Sequence, residues 1–259
     1  MPDVHGMELL APSSWNTVDF ISDLHLQASE PMTFAALQGY LGRTTADAVV
    51  ILGDLFEVWV GDDAATLPGS FEFSCVETLR SAAARLAVFI MHGNRDFLMG
   101  PALMEAAGAS LVPDPTVLCF AEQRWLLTHG DALCLADTAY LAFREQVRSS
   151  AWQTEFLEKP LADRLAIARH MREESERRKR SNQPYADVDF EAADQLLRST
   201  GADTMVHGHT HKPDHHTLGA QRSRWVLSDW DLGARPPRAQ VLRIDKARPQ
   251  PYRINPLTL

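Results

Sequence analysis

The sequence has only three cysteines, Cys75, Cys119 and Cys134, and no two of them form a C-x-x-C pair. An odd number without paired spacing argues against a disulfide scaffold and points to a reducing compartment, the cytoplasm. Nothing in the chain comes near the ~20 consecutive apolar residues that cross a bilayer. Asp3, His5 and Glu8 interrupt the first fourteen residues where a signal peptide would be continuously apolar. Positive charge is in deficit: 25 Lys and Arg stand against 34 Asp and Glu, a net charge of −9. That balance disfavours a surface built to hold nucleic-acid phosphates and suits an enzyme loaded with cations. Internal repeats and low-complexity stretches are missing too, so the 259 residues are expected to form one large domain, or a domain with an insert, around a sizeable core.

What is present is a series of short apolar runs of strand type: Val18 to Ile21, Ala48 to Leu52, Leu86 to Met91, Trp125 to Thr128 and Thr204 to Val206. Their continuous, β-branched character predicts an α/β chain with strands buried on both faces by flanking helices. Further strands are expected at Arg224 to Leu227 and Gln240 to Ile244. Residues 1–14, with Pro2, Gly6, Pro12, Ser13 and Ser14, read as a loose leader. The stretch 137–200 lacks strand-like runs; Tyr140, Phe143 and Val147, then Phe156, Leu157, Leu161 and Leu165, repeat at helical spacing. This predicts a helical cap inserted into a core of 15–136 and 201–259. Within the cap, Arg177 to Arg180 is a basic run in an acidic protein.

Each buried run ends in polar residues: Ser22-Asp23-Leu24-His25, Gly53-Asp54, Gly93-Asn94-Arg95-Asp96, His129-Gly130-Asp131 and Gly208-His209-Thr210-His211. Ligands of open α/β sheets bind beyond the carboxyl ends of strands, so one edge of one sheet is expected to collect these groups. Taken singly, a histidine there is ordinarily a hydrogen-bonded loop residue and an Asp after Gly a turn former. Five such ends in succession would require that explanation five times independently. Carboxylate, amide and imidazole donors together form a mixed N/O set suited to Mn, Fe or Zn rather than Ca.

In this order, D-x-H, G-D, G-N-x-D, a lone His and G-H-x-H resemble the calcineurin-like metallophosphoesterases. The fuller segments Phe20 to Leu26, Gly53 to Asp63, Met91 to Gly100, Thr128 to Asp131 and Val206 to Pro213 are similar to the branch acting on UDP-2,3-diacylglucosamine in lipid A synthesis. The resemblance implies a β-sandwich flanked by helices, with a dinuclear centre between the strand ends. It implies one metal at Asp23, His25, Asp54 and His211, and another at Asp54, Asn94, His129 and His209, with Asp54 bridging. It implies two Mn2+ ions that activate water, no protein nucleophile, and cleavage of the substrate diphosphate to UMP and 2,3-diacylglucosamine 1-phosphate. A catalytic role falls on Arg95, Asn94 and His209, and substrate contacts on these three with Asp137, Ser175 and Lys179. Asn182 departs from the family pattern in the cap and is assigned no role. Peripheral contact with the cytoplasmic face of the inner membrane is expected, with neither nucleic acid nor an obligate protein partner. The wider superfamily leaves a general nucleotide phosphodiesterase open, and a metal-stabilised module that binds without turnover is the alternative of another class.

Arg95 stands where most of these enzymes have histidine. A guanidinium does not donate a proton near neutral pH, but its planar fork clamps a phosphoryl oxygen. Asp96 and Asp131 are expected to orient histidines or Arg95. His92, His207, His215 and His216 are expected to be structural or exposed, and Trp59, Trp152 and Phe156 to be packing residues.

Overall fold

The computed structural model describes residues 7–180, 187–219 and 221–259, the side chains of 173–180 excepted. Two six-stranded sheets face each other. One runs β12 (Tyr252–Ile254), β11 (Val241–Asp245), β2 (Thr17–Ile21), β3 (Ala48–Leu52), β4 (Ala87–Met91), β5 (Ser110–Val112). The other runs β1 (Met7–Leu10), β6 (Thr116–Phe120), β7 (Gln123–Thr128), β8 (Thr204–His207), β10 (Arg222–Val226), β9 (His215–Leu218). β2, β3 and β4 pair in parallel, as do β7 and β8.

Alternation along each strand explains the unbroken apolar runs. In β3, Ala48, Val50 and Leu52 point between the sheets, where they meet Leu118, Trp125, Leu127 and Val206. Val49 and Ile51 point the other way, into a layer that includes Leu37 and Leu41 of α1 (Pro31–Arg43), Val76 and Leu79 of α2 (Phe71–Ala83) and Leu103 of α3 (Pro101–Ala107). The outer face of the second sheet, with Val117, Leu126 and Met205, is covered by Ala193 and Leu197 of α7 (Phe190–Thr200). The layers are therefore helix, sheet, sheet, helix.

Three sequence expectations change. Met7–Leu10 is a strand and not a leader: it pairs with β6 from Met7 opposite Thr116 to Leu10 opposite Cys119, and residues 1–6 lie outside the described residues. The polar strand ends belong to two sheets, because β7 and β8 leave the sheet that holds β2, β3 and β4. Finally, α7 belongs to the core layer, so the insert consists of α4 (Thr138–Val147), α5 (Ser150–Leu157) and α6 (Leu161–Arg180). These helices stand against the first sheet's helical layer through Trp152, Phe156, Leu161, Ile167 and Ala168. Phe143 is exposed in place of lining the predicted stripe, which runs through Tyr140, Arg144 and Val147.

Cys75 and Cys134 are buried and all three cysteines are free. Burial, and then Glu72, raises the Cys75 thiol; burial, and then Asp131, pushes Cys134 up to about 12. The native protein should therefore expose one reactive thiol, Cys119, to a disulfide reagent at about pH 8. All three should react in denaturant. A second thiol reacting at the rate of Cys119 in the native state would contradict this packing.

Candidate metal centre

The loops after β2, β3, β4, β7 and β8 converge where the two sheets meet. Their backbones are unusual: Asp23, His25, Asp54, His209 and His211 all have positive φ, between 48° and 65°. Non-glycine residues in that region are strained by on the order of 1 kcal/mol or more, and such strain concentrates at functional sites. Close approach also dictates two glycines. A Cβ on Gly93 would collide with the Asp54 carboxylate and amide, and one on Gly208 with Ser22 and the Asp23 carboxylate. Asp96 is fully buried and accepts from the Gly93 and Leu55 amides, each at 2.7 Å, which locks the loop carrying Asn94 to the loop carrying Asp54. It braces backbone, where the sequence suggested that it orients a histidine or Arg95.

The donor atoms form one connected group. His25 Nε2 lies 3.3 Å from His211 Nε2, which lies 3.2 Å from Asp23 Oδ1. Asn94 Oδ1 sits 3.0 Å from His129 Nε2 and 2.9 Å from His209 Nδ1. Asp54 lies between the two sets, 4.0 Å from His25 Nδ1 and 3.8 Å from His129 Nε2. Donor atoms of Asp23, His25 and His211, and again of Asp23, Asp54 and His129, all fall within 4.8 Å of one another. Asp23 is common to both triads. His129 Nδ1 is 2.8 Å from the Leu52 carbonyl, so it carries the proton and leaves Nε2 to face the cluster.

Electrostatics fit cations. Burial opposes charge on Asp23, but the hydrogen bond from His211 and the fields of His129, His211 and His25 overcome it and hold the carboxyl well below the usual range. Burial likewise opposes protonation of His129, while Asp54 and Asp23 lift it to about 9. His209 is pushed down to about 4 by burial and then by His129. The Asp96 carboxyl is pushed up to about 7 by burial and by the neighbouring Asp54. A buried group of anionic carboxylates and imidazoles, with nitrogen and oxygen atoms aimed at one another, suits two divalent ions shared among these residues.

Arg95 Nε is 3.4 Å from Asp54 Oδ2, and its Nη1 is 2.6 Å from Glu57 Oε2. Asp137 is the N-cap of α4, accepting from the Tyr140 amide at 3.0 Å at the junction of core and insert. Ser175 and Lys179 have side chains outside the described residues, as does the basic run Arg177 to Arg180; Asn182 lies outside them altogether. His92, 2.7 Å from the Met99 carbonyl, and His207, 2.9 Å from the Gly208 carbonyl, hydrogen-bond to backbone outside the donor group. His215 stacks on Trp225 and His216 is 3.8 Å from Asp214. Trp59 and Phe156 are buried; Trp152 stacks on Phe156.

Sequence reading missed five participants, Tyr140, Arg144, Arg148, Glu57 and Arg172. Asp131 binds the insert: it accepts from Tyr140 Oη at 2.5 Å and Arg144 Nε at 2.8 Å, and Arg148 stands 3.7 Å away. Arg148 donates to the Gly93 carbonyl at 2.8 Å, and the Tyr140 ring stacks 6.2 Å from His209. The i, i+4, i+8 spacing of Tyr140, Arg144 and Arg148 is a legible signal, since it places three polar groups on one helix face. Glu57 and Arg172 are the others. Burial works against the Glu57 charge, but His25, Arg95 and Arg172 hold its carboxyl below the ordinary value.

Comparison with known proteins places this arrangement. Residues 17–213 match the family model of the calcineurin-like phosphoesterases. A UDP-2,3-diacylglucosamine hydrolase of Bordetella pertussis is 42% identical over 232 residues, which are 87% of this chain and 90% of that one. Another, of Chromobacterium violaceum, is 44% identical over 222 residues, 83% of this chain and 91% of its own. Among solved structures, a novel archaeal phosphodiesterase superposes with a TM-score of 0.50 at 10% identity, covering 92% of this chain and 98% of its own, a likeness of fold. With its two facing sheets, its strained polar loops and relatives this similar over nearly its whole length, the chain belongs to the calcineurin-like phosphoesterases and, within them, to the family of the UDP-2,3-diacylglucosamine hydrolases.

Proposed function

We propose that this protein hydrolyses the diphosphate of UDP-2,3-diacylglucosamine, giving UMP and 2,3-diacylglucosamine 1-phosphate. The ions would be two Mn2+ held by Asp23, His25, Asp54, Asn94, His129, His209 and His211. The observation that carries the reading is the gathering of these seven donors into one connected group, five of them on left-handed backbone. When bound, two divalent cations polarise phosphoryl oxygens and bring the pKa of water from ~15.7 toward ~7.

The chain's own residues supply the rest. Water attacks one phosphorus and the P–O–P bond breaks, so a phosphate monoester departs on each side and the leaving group needs little protonation. Arg95 neutralises charge on the phosphoryl oxygens with its planar fork. Asn94 and His209 align the diphosphate. Asp137, Ser175 and Lys179 take up the sugar and phosphate end. Phe143, Leu157 and Leu165, exposed on the insert, give apolar surface for acyl chains and for peripheral contact with the cytoplasmic face of the inner membrane. None of the described helices is long and apolar enough to cross a membrane.

Turnover of UDP-2,3-diacylglucosamine beside an unacylated UDP-sugar and a simple nucleotide diester, with and without Mn2+, tests this reading. The glycolipid should be strongly preferred and the reaction should require the metal. Equal turnover of the unacylated compounds would favour a general nucleotide phosphodiesterase; binding of the glycolipid without release of UMP would mean a binding module.

Arg95 should act by charge and geometry. Arg95→Lys is expected to lose about 10²-fold in kcat, since an ammonium lacks the bidentate fork, an effect of about 3 kcal/mol. Full activity of Arg95→His with a new pH optimum near ~6.5, the ordinary histidine pKa, would show acid catalysis instead.

A further inference from the structure

Glu57 lies three residues beyond Asp54 and joins three elements that the proposed reaction needs. Its Oε2 is 3.3 Å from His25 Nδ1 and 2.6 Å from Arg95 Nη1. Its Oε1 pairs with the Arg172 guanidinium of α6, and its own carbonyl accepts from Arg172 Nη1 at 2.6 Å. The side chain is 20% exposed, so these contacts are little screened by water. Glu57 has no place among the donor triads around Asp23.

Two consequences follow from this placement. The Glu57 carboxylate, 3.3 Å from His25 Nδ1 in an ion-pair contact outside hydrogen-bond geometry, favours the proton on that nitrogen by its negative field, and Nε2, the atom 3.3 Å from His211 Nε2, is then the free lone pair. The same oxygen takes one arm of the Arg95 fork, while Arg95 Nε stays 3.4 Å from Asp54. The guanidinium is thereby held beside the donors in one orientation and does not swing on a flexible stem. An acid at this position that served only to fasten the insert would need the Arg172 contact alone; Asp63 pairs with Arg164 of α6 in that way.

We propose that Glu57 is a positioning residue, which fixes the tautomer of His25 toward one metal and the orientation of Arg95 toward the scissile phosphoryl group. This rests on the diphosphatase reading for the identity of the phosphoryl group. It is testable without it, because a small chromogenic phosphodiester needs only the metals and Arg95.

The test is a double-mutant cycle with Glu57→Gln and Arg95→Gln, singly and together, at saturating Mn2+, on both the glycolipid and the chromogenic diester. Mn2+ affinity is measured separately by calorimetry. Glu57→Gln should lower kcat on the diester by about 10- to 100-fold and weaken Mn2+ binding about tenfold, the usual effect of removing a carboxylate behind a ligating histidine. At saturating Mn2+, where weaker metal binding through His25 no longer limits the rate, the double variant should be scarcely slower than Arg95→Gln, since the rest of the Glu57 effect runs through that side chain. If Glu57→Gln lowers the melting temperature by more than about 5 °C, the cycle is run with Glu57→Asp, which keeps the charge and should recover part of the rate. Losses that multiply fully, or a variant with wild-type kcat and Mn2+ affinity, would overturn the proposal. If the wild type cleaves the diester but not the glycolipid, the substrate reading falls while the Glu57 cycle still decides the role of Glu57.

Discussion

Asp54→Ala is expected to lose at least about 10³-fold in kcat, equivalent to about 4 kcal/mol of transition-state stabilisation. The carboxylate is 2% exposed and lies between His25 and His129, 4.0 and 3.8 Å from their nearest nitrogens. It also accepts from the Arg95 amide at 2.9 Å and faces the Arg95 guanidinium at 3.4 Å. Removing it takes an oxygen from between the two donor sets and releases the clamp on the phosphoryl group together, so added Mn2+ should not rescue the variant. Metal content per chain should fall in parallel. An Asp54→Ala protein that keeps two metals per chain and near-normal turnover would show that Asp54 is neither a shared ligand nor a support for Arg95.

Asp19→Ala is expected to be the most destabilising single change in the core, by about 3–5 kcal/mol out of the 5–15 kcal/mol typical of a domain. Asp19 sits on β2 with no exposure, directly across from Arg243 of β11. It accepts from Arg243 Nε at 2.6 Å and Nη2 at 2.8 Å, from Tyr40 Oη at 2.7 Å and from Thr44 Oγ1 at 3.0 Å. Alanine would leave a guanidinium buried without its counter-ion and a phenol without its acceptor, and that orphaned charge accounts for most of the loss. Urea unfolding of the two proteins measures the difference. A shift under about 1 kcal/mol would mean that the pair is solvated or replaceable, as surface ion pairs are.

These two residues differ in how openly the sequence announced them. Asp54 follows a continuous apolar run and a glycine, and positive φ at Asp23, His25, Asp54, His209 and His211 ties those residue types to those corners. Asp19 lies inside an apolar run, and only the pairing of β2 with β11, 224 positions later, shows what neutralises it. Glu57 and Arg172 stayed hidden for the same reason: each acts through a partner that is distant along the chain.

The fold was legible where both faces of a strand are buried. The Ala48 to Leu52 run is β3 without any change of boundary. The β6–β7 hairpin was missed because its turn is Ala121-Glu122, with φ of 52° and 62°, where the expected signal is Asn-Gly. β1 was missed because it is a short edge strand with Met7 and Leu10 exposed, and nothing local distinguishes that from a tail. The apolar stripe of α7 looks the same whether it meets a cap or a sheet; its contact with Val117, Leu126 and Met205 assigns it to the sheet. Which strands share a sheet is a matter of long-range pairing, so a site at the seam of two sheets was read as one edge.

If two divalent ions held by these seven residues drive hydrolysis of the glycolipid diphosphate, as proposed, turnover must track bound metal. The most direct measurement strips the protein of metal with a chelator, titrates Mn2+ back, and follows UMP release against bound metal per chain. No turnover is expected in the stripped protein, and full recovery is expected as binding approaches two ions per chain, with the Asp54→Ala protein failing to recover at any concentration. Full UMP release from protein holding well under one ion per chain would contradict the proposal.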